Sequence, residues 1–296
     1  MDRVLRDNTC SAKDDAATGG SYVSHQYSNA PIGVFDSGVG GLTVAREIMR
    51  QMPDERIVYF GDTARLPYGS KSEDTIIRYS RQIIRFLMTK DVKAIVIACN
   101  TASAYALDAV EKELDIPVIG VIRAGARTAV DATRNGKIGV IGTEATIGTG
   151  IYTKEMLKMR QDIEVTGKPC PLFVPLVEEG LLHDSVTDEI ASRYLSSLKG
   201  RFIDTLVLGC THYPLLRSTL RRLMGEEVTL VNPAYETAIE LKGLLEAQGL
   251  ACDPGTMTGE KYQFYVSDLA EKFTAFATSI LPNEVKETRK INIEEY

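Results

Sequence analysis

An alternation of short apolar runs with longer amphipathic runs is the feature that most constrains this fold. The run IGVF, which starts at Ile32, is followed by LTVAREIMRQM, and RIVYFG and KAIVIAC are each followed by a stretch with helical periodicity. Short β-branched runs predict buried strands, and apolar residues at helical spacing predict amphipathic helices. Strands that alternate with helices predict an α/β fold with parallel sheets.

The alternation continues to the end of the chain. We expect further strands at IPVIGVI, KIGVIGT, TLVLGC and VTLVN. Helices are predicted within residues 42–52, 73–90, 102–114, 151–159, 188–198, 214–224, 237–248 and 269–280. The closing helices are expected to return to the first part of the fold.

Two segments of the sequence recur in the same order. IGVFDSG at Ile32 is echoed by IGVIGTE at Ile138, and IVIACNTAS around Cys99 is echoed by LVLGCTHYP around Cys210. Similar spacing between the echoes indicates a duplication. We therefore predict two pseudo-symmetric α/β domains, with residues 31–122 and 233–296 in the first and residues 123–232 in the second.

Charge and composition exclude several classes of protein. The 296 residues include 34 basic and 40 acidic ones, for a net charge of -6, so the basic footprint of a nucleic-acid binder is absent. No signal peptide and no membrane-spanning run is evident, and we expect a cytoplasmic protein. Residues 1–30 are poor in apolar side chains and are predicted to be a flexible N-terminal extension.

The cysteines do not form a disulfide or zinc pattern. They number five, are widely spaced and contain no C-x-x-C pair. We expect no metal site, and Cys10, Cys170 and Cys252 are interpreted as bystanders. The glycines of FDSGVGGLT do not indicate a nucleotide cofactor either, because Thr43 stands where the dinucleotide fingerprint requires a third glycine.

Cys99 and Cys210 occupy equivalent places in the two repeats. Each ends an apolar strand and precedes a polar turn, NTAS in one case and THYP in the other. Ligands bind beyond the carboxyl ends of parallel strands, and a helix N-terminus favours a thiolate. The alternative is that these cysteines are inert and buried. This interpretation is less favoured, because it would have to apply at both symmetric positions.

Several other polar residues can be interpreted either as structural or as functional. His212 could relay a proton to Cys210 or be a core histidine, and Asp36 with Ser37 could form a turn or serve a nearby thiol. The loop 61–73 contains Tyr68 and Gly69 as possible donors. Glu178 is by default one residue of a solvated helix face.

Taken together, the segments IGVFDSGVGGLTV, GDTARLPYGSKS, VIACNTASA, IGVIGTEATI and VLGCTHYPLL resemble the cofactor-independent glutamate racemases. The resemblance implies two α/β domains that face each other across a cleft. It also implies an interconversion of L-glutamate and D-glutamate without a cofactor, which supplies D-glutamate for peptidoglycan. A small-molecule substrate, glutamate, is the expected partner, and a homodimer is possible.

The resemblance also assigns roles to residues. It implies that Cys99 and Cys210 are the acid/base thiols, with Cys99 acting on the D-isomer, and that Asp36, His212 and Glu178 assist them. The implied substrate contacts are Asp36, Ser37, Pro67, Tyr68, Gly69, Asn100, Thr101, Thr143, Thr211 and His212. The segments Arg123-Ala124-Gly125 and Asn232-Pro233-Ala234 depart from the family pattern.

Two alternatives stay open at the level of sequence. One is an aspartate racemase or another amino-acid racemase of the same superfamily, although THYP after Cys210 is similar to the glutamate branch. The other is a catalytically silent protein that binds or senses an amino acid in the same cleft.

Overall fold

A computed structural model describes residues 28–256 and 258–296. Almost all of the predicted N-terminal extension, residues 1–30, therefore lies outside the described residues. The described chain forms two parallel sheets with helices packed against them.

The first sheet has six strands, and every neighbouring pair is parallel. Its strands are β1 (Ile32–Asp36), β2 (Ile57–Gly61), β3 (Ala94–Ile97), β4 (Val118–Gly120), β9 (Tyr262–Val266) and β10 (Thr288–Lys290). They lie in the order β10-β9-β2-β1-β3-β4. The residues of β1, β2 and β3 are all buried, as expected for strands covered on both faces.

The second sheet repeats the design of the first on a smaller scale. Its strands are β5 (Lys137–Gly142), β6 (Glu164–Pro169), β7 (Thr205–Gly209) and β8 (Thr229–Val231), in the order β6-β5-β7-β8. This is the same order as β2-β1-β3-β4 in the first sheet. The predicted fold of two pseudo-symmetric parallel α/β units is confirmed.

Helices connect the strands and cover the sheets. They are α1 (Leu42–Gln51), α2 (Glu73–Met88), α3 (Asn100–Val110), α4 (Val121–Ala132), α5 (Glu144–Gly148), α6 (Ile151–Met159), α7 (Phe173–Glu178), α8 (Ser185–Lys199), α9 (Arg217–Met224), α10 (Pro233–Ala247) and α11 (Ala270–Ile280). Short 3₁₀ helices span Thr63–Arg65, Tyr68–Ser70, Tyr213–Leu216 and Ile293–Glu295.

Local sequence explains where several helices begin. The side chain of Thr143 accepts a hydrogen bond from Thr146 N and caps α5, and Asp184 caps α8 through Val186 N. Asn232 caps α10, and Pro233 stands at the first turn, where its missing N–H has no cost. The helix begins four residues before the start predicted from apolar spacing, because this capping pair sets its first turn.

One predicted strand ends earlier in the structure, and three further strands have no counterpart among the predictions. The predicted strand IPVIGVI ends at Gly120, because Val121 and Ile122 already belong to the buried face of α4. Strands β6, β9 and β10 were not predicted. β6 is half exposed and polar, and β10 has only three residues, so neither has the apolar run by which a buried strand is identified.

Two helices pack against each other where the two halves of the molecule meet. Ile122 and Ala126 of α4 pack with Ile138 of the second sheet, whereas Leu241 of α10 packs in the core of the first. The two helices contact each other, and a Cβ on Gly125 would lie 2.8 Å from Pro233. The two segments that depart from the family pattern thus pack together. The domain borders at 122/123 and 232/233 stay a prediction.

Among the described residues, every helix is too short or too polar to span a bilayer.

A buried ion pair closes the amino end of the first sheet. Lys93 Nζ lies 2.6 Å from Glu55 Oε2, and both side chains are almost completely buried. The ammonium also donates to the carbonyl oxygens of Ser28 and Leu250. Glu55 Oε1 accepts a hydrogen bond from Cys252 N. One charge pair therefore ties the beginning of the described chain to the loop after α10.

We predict that Glu55→Gln lowers the free energy of unfolding by about 3 to 5 kcal/mol, because it leaves the Lys93 ammonium buried without its counter-charge. Glutamine can still accept the hydrogen bond from Cys252 N. Urea unfolding measures the change. The control is Glu113→Gln, which breaks the exposed pair with Arg81 and should change stability much less. Equal effects of the two substitutions would contradict the prediction.

Candidate active site

Both repeated cysteines line one cavity of about 390 Å³. Cys99 follows β3 of the first sheet, and Cys210 follows β7 of the second. The turns after β1, β2 and β5 and the segment after β6, which includes α7, complete the wall. The lining residues are Ser37, Leu66, Pro67, Tyr68, Gly69, Ser70, Cys99, Asn100, Thr101, Thr143, Glu144, Pro171, Val174, Pro175, Glu178, Cys210, Thr211 and His212.

Cys99 stands at the N-cap of α3. Its sulfur accepts a hydrogen bond from Ala102 N at 3.5 Å, and its thiol donates to Ser37 Oγ at 3.7 Å. Burial raises the pKa of Cys99 to about 12, and the nearby charge of Asp36 adds to the rise, although the hydrogen bonds with Ala102 N and Ser37 oppose it. Cys99 is therefore a protonated thiol at neutral pH.

Cys210 belongs to a chain of three side chains. Its Sγ lies 3.8 Å from His212 Nδ1, and His212 Nε2 lies 3.1 Å from Glu178 Oε1. Burial alone would lower the pKa of His212, but the hydrogen bonds to Cys210 and Glu178 outweigh it and raise the pKa to about 10. A protonated imidazole can donate to the sulfur on one side and to the carboxylate on the other.

Asp36 supports the wall of the cavity from behind. It has no exposed surface, and its Oδ2 accepts hydrogen bonds from Gly38 N and Gly41 N at 3.0 Å each. Its Oδ1 accepts a long hydrogen bond from Thr211 Oγ1. Asp36 is not among the residues that line the cavity, and its expected direct contact with substrate stays a prediction. Its negative charge still acts on Cys99.

The glycine turn after β1 lets the two halves approach closely. A Cβ on Gly40 would lie 2.5 Å from His212 Nδ1, so only glycine fits beside the imidazole. Thr43 Oγ1 donates to the carbonyl oxygen of Thr211 at 3.2 Å. The turn and the first residues of α1 therefore contact the Cys210–His212 segment of the opposite half.

The loop after β2 forms another side of the cavity. Pro67, Tyr68 and Gly69 all line it, and the Tyr68 hydroxyl donates to Asp62, which is completely buried. Asp62 Oδ2 also accepts from Arg65 Nε at 2.7 Å. A Cβ on Gly69 would lie 2.8 Å from Thr143 Cβ, so this loop packs directly on the second half.

Hydroxyl and amide groups of α3 and of the turn after β5 also line the cavity. Thr101 Oγ1 lies 3.0 Å from Thr143 Oγ1 and 3.2 Å from Thr146 Oγ1, which links the first turn of α3 to that of α5. Asn100 Oδ1 accepts a hydrogen bond from Tyr152 at 2.7 Å. All the predicted substrate contacts except Asp36 thus lie on one cavity.

Some lining residues were not predicted. They are Leu66, Ser70, Glu144, Pro171, Val174 and Pro175. Leu66, Ser70 and Glu144 adjoin residues of the predicted loops, so proximity in sequence could have indicated them. The segment 171–175 carries no chemical motif and is brought in only by packing. Among residues 28–256 and 258–296, no group of three His, Cys, Asp or Glu side chains could hold a metal ion.

We predict that Glu178→Gln lowers the pKa of His212, because the imidazolium loses its carboxylate partner. Since the pKa is raised above the usual 6.5, the charged imidazole stabilises the folded chain fully below that pH, and this contribution is lost as the pH rises through about 10. Glu178→Gln should therefore reduce the folding stability that is lost as the pH rises from 6.5 through about 10.

Ring-nitrogen NMR of a pH titration measures the His212 pKa, and unfolding at several pH values measures the linked stability. The control is Glu179→Gln, since the neighbouring carboxylate is exposed and lies near Lys272 instead. A His212 pKa that is the same in Glu178→Gln and the parent would contradict the prediction.

Comparison with known proteins agrees with this geometry. Residues 32–239 match the family model described as Asp/Glu/Hydantoin racemase. A glutamate racemase of Geobacter metallireducens is 47% identical over 263 residues, which are 89% of this chain and 97% of that protein.

Solved structures show the same similarity. A glutamate racemase isoform of Bacillus anthracis superposes with a TM-score of 0.85 at 40% identity, covering 89% of this chain and 98% of the other. The Francisella tularensis glutamate racemase in complex with D-glutamate gives a TM-score of 0.84 at 39% identity, covering 91% of this chain and 100% of the other. The chain therefore belongs to the Asp/Glu/Hydantoin racemase family and, within it, to the glutamate racemases.

Proposed function

We propose that the chain interconverts L-glutamate and D-glutamate by moving the α-proton between two thiols, Cys99 and Cys210. The observation that carries this proposal is that both sulfurs line one cavity while each follows a strand of a different sheet. Inversion through a planar carbanion requires one group to remove a proton from one face and another to return a proton to the opposite face. The D-isomer supplies peptidoglycan synthesis.

The two thiols have different surroundings, and each set of neighbours suits acid/base catalysis in its own way. Burial and Asp36 raise the pKa of Cys99, so its thiolate, once formed, is a strong base toward a weakly acidic α-proton. Beside Cys210, the His212 imidazolium can supply or hold a proton at the sulfur, and Glu178 stabilises that imidazolium. We assign Asp36, His212 and Glu178 as assisting groups, and Cys99 as the thiol that acts on the D-isomer.

The remaining polar groups of the cavity suit a small dicarboxylate. Ser37, Asn100, Thr101, Thr143 and Thr211 all offer hydroxyl or amide donors. The N-terminus of α3 adds backbone N–H groups next to Asn100, and such groups bind anions. Apart from the His212 imidazolium, the described lining residues offer neutral donors and no Lys or Arg, so the bound carboxylates are held mainly by hydrogen bonds.

The chemistry of the two thiols also bears on the compartment in which the protein works. Acid/base work requires both thiols to stay reduced, and Cys99 and Cys210 are free. A reducing cytoplasm meets that requirement, and we propose it as the site of action. The homodimer stays a prediction, which sedimentation velocity would test.

We predict that glutamate is racemised at least a hundredfold faster than aspartate, because a site with hydrogen-bond donors for the distal carboxylate loses them when the chain is one methylene shorter. Circular dichroism of each pure enantiomer follows the reaction. Faster turnover of aspartate would show another racemase of the superfamily. Absence of deuterium uptake at Cα of glutamate in heavy water, at any protein concentration, would indicate a silent binding protein.

Cys99→Ser and Cys210→Ser are each expected to lower the racemisation rate by about 10²- to 10⁴-fold, the usual contribution of a general acid or base. Serine is nearly isosteric, so both variants should fold normally. Cys252→Ser is the control, because that thiol lies at the amino end of the first sheet beside Asn29, away from the cavity. If either active-site variant kept near-parental turnover in both directions, the two-thiol assignment would be wrong.

A further inference from the structure

Tyr152 is not part of the proposed two-thiol mechanism, but it forms a hydrogen bond with a residue that lines the cavity. It belongs to α6, is 3% exposed and packs in the core of the second half with Ile122 and Val140. Its hydroxyl donates to Asn100 Oδ1 at 2.7 Å, and Asn100 is the residue after Cys99 in the first half. One hydrogen bond thus joins the core of one half to the cavity wall of the other.

This bond determines which end of the Asn100 amide is available to a ligand. A side-chain amide carries an acceptor oxygen on one side and two N–H donors on the other. Tyr152 occupies the oxygen, and Asn100 Nδ2 makes no hydrogen bond within the part of the chain that the structure describes. A reversed amide would turn an acceptor toward a carboxylate, and two acceptors repel each other.

The Tyr152 hydroxyl is itself held in place from behind. A Cβ on Gly125 of α4 would lie 3.4 Å from this oxygen and 2.8 Å from Pro233 of α10. A Cβ on Gly209 would lie 3.2 Å from Tyr152 Cε2. Tyr152 therefore packs closely against Gly125 of α4 and against Gly209 at the end of β7, so it has little room to turn away.

We propose that Tyr152 is a positioning residue: it orients the Asn100 amide from the opposite half so that Nδ2 donates to a carboxylate of the substrate. The proposal rests on the proposed function, in which Asn100 contacts glutamate. Tyr152 itself does not touch the substrate, because it does not line the cavity.

The test is Tyr152→Phe, which removes the hydroxyl and keeps the buried ring. We expect KM for both enantiomers to rise roughly tenfold, the scale of one hydrogen bond, with a smaller change in kcat since both thiols are untouched. Asn100→Ala should raise KM by at least as much. The double variant should be no worse than Asn100→Ala alone, because Tyr152 acts only through Asn100.

The matched control is Tyr265→Phe. Tyr265 is also buried, and its hydroxyl donates to Gln263 on β9, away from the cavity, so KM should stay at the parental value. Thermal unfolding of each variant separates loss of stability from loss of binding.

The outcomes separate this proposal from the proposed function. A parental KM for Tyr152→Phe beside a raised KM for Asn100→Ala would overturn the positioning role and leave the substrate contact intact. Additive effects in the double variant would overturn it too, since the two residues would then act independently. A parental KM for Asn100→Ala would overturn the contact assigned above, and the positioning role with it.

Discussion

The parallel arrangement of the strands is the constraint on which the rest of the structure depends. In a parallel sheet all carboxyl ends lie at one edge, so the turns that follow β1, β2 and β3 meet at the same edge. The second sheet presents the turns after β5 and β7 in the same way. Where the two edges meet, backbone donors, hydroxyls and both thiols surround one cavity. Each of these groups follows a strand of its own half.

The contacts between the halves repeat the pseudo-symmetry of the sheets. The turn after β1 holds the turn after β7 through Thr43 and Thr211, and the turn after β3 holds the turn after β5 through Thr101 and Thr143. Because β1 corresponds to β5 and β3 to β7, these are two copies of one kind of contact. A duplicated unit that pairs with itself therefore generates the cleft and its two thiols together.

The surroundings of the two thiols do not repeat. Behind Cys99 lies the buried carboxylate of Asp36, which disfavours a second negative charge there, whereas beside Cys210 lies an imidazolium held by Glu178. The corresponding positions in the other half carry neither group: Gly142 stands where Asp36 would be, and Thr101 stands where His212 would be. Such asymmetry gives the two thiols different charged neighbours, although their backbone positions are equivalent.

The sequence by itself determined the parallel α/β class, the duplication, and the identity of Cys99 and Cys210 as equivalent strand-end thiols. Those conclusions depend on periodicity and spacing, which are local properties. Only the tertiary structure decided that Asp36 lies behind the wall, that Glu178 reaches His212, and that Tyr152 holds Asn100. These contacts join residues far apart in the chain, and they arise from how two sheets and their helices pack, which no local pattern encodes.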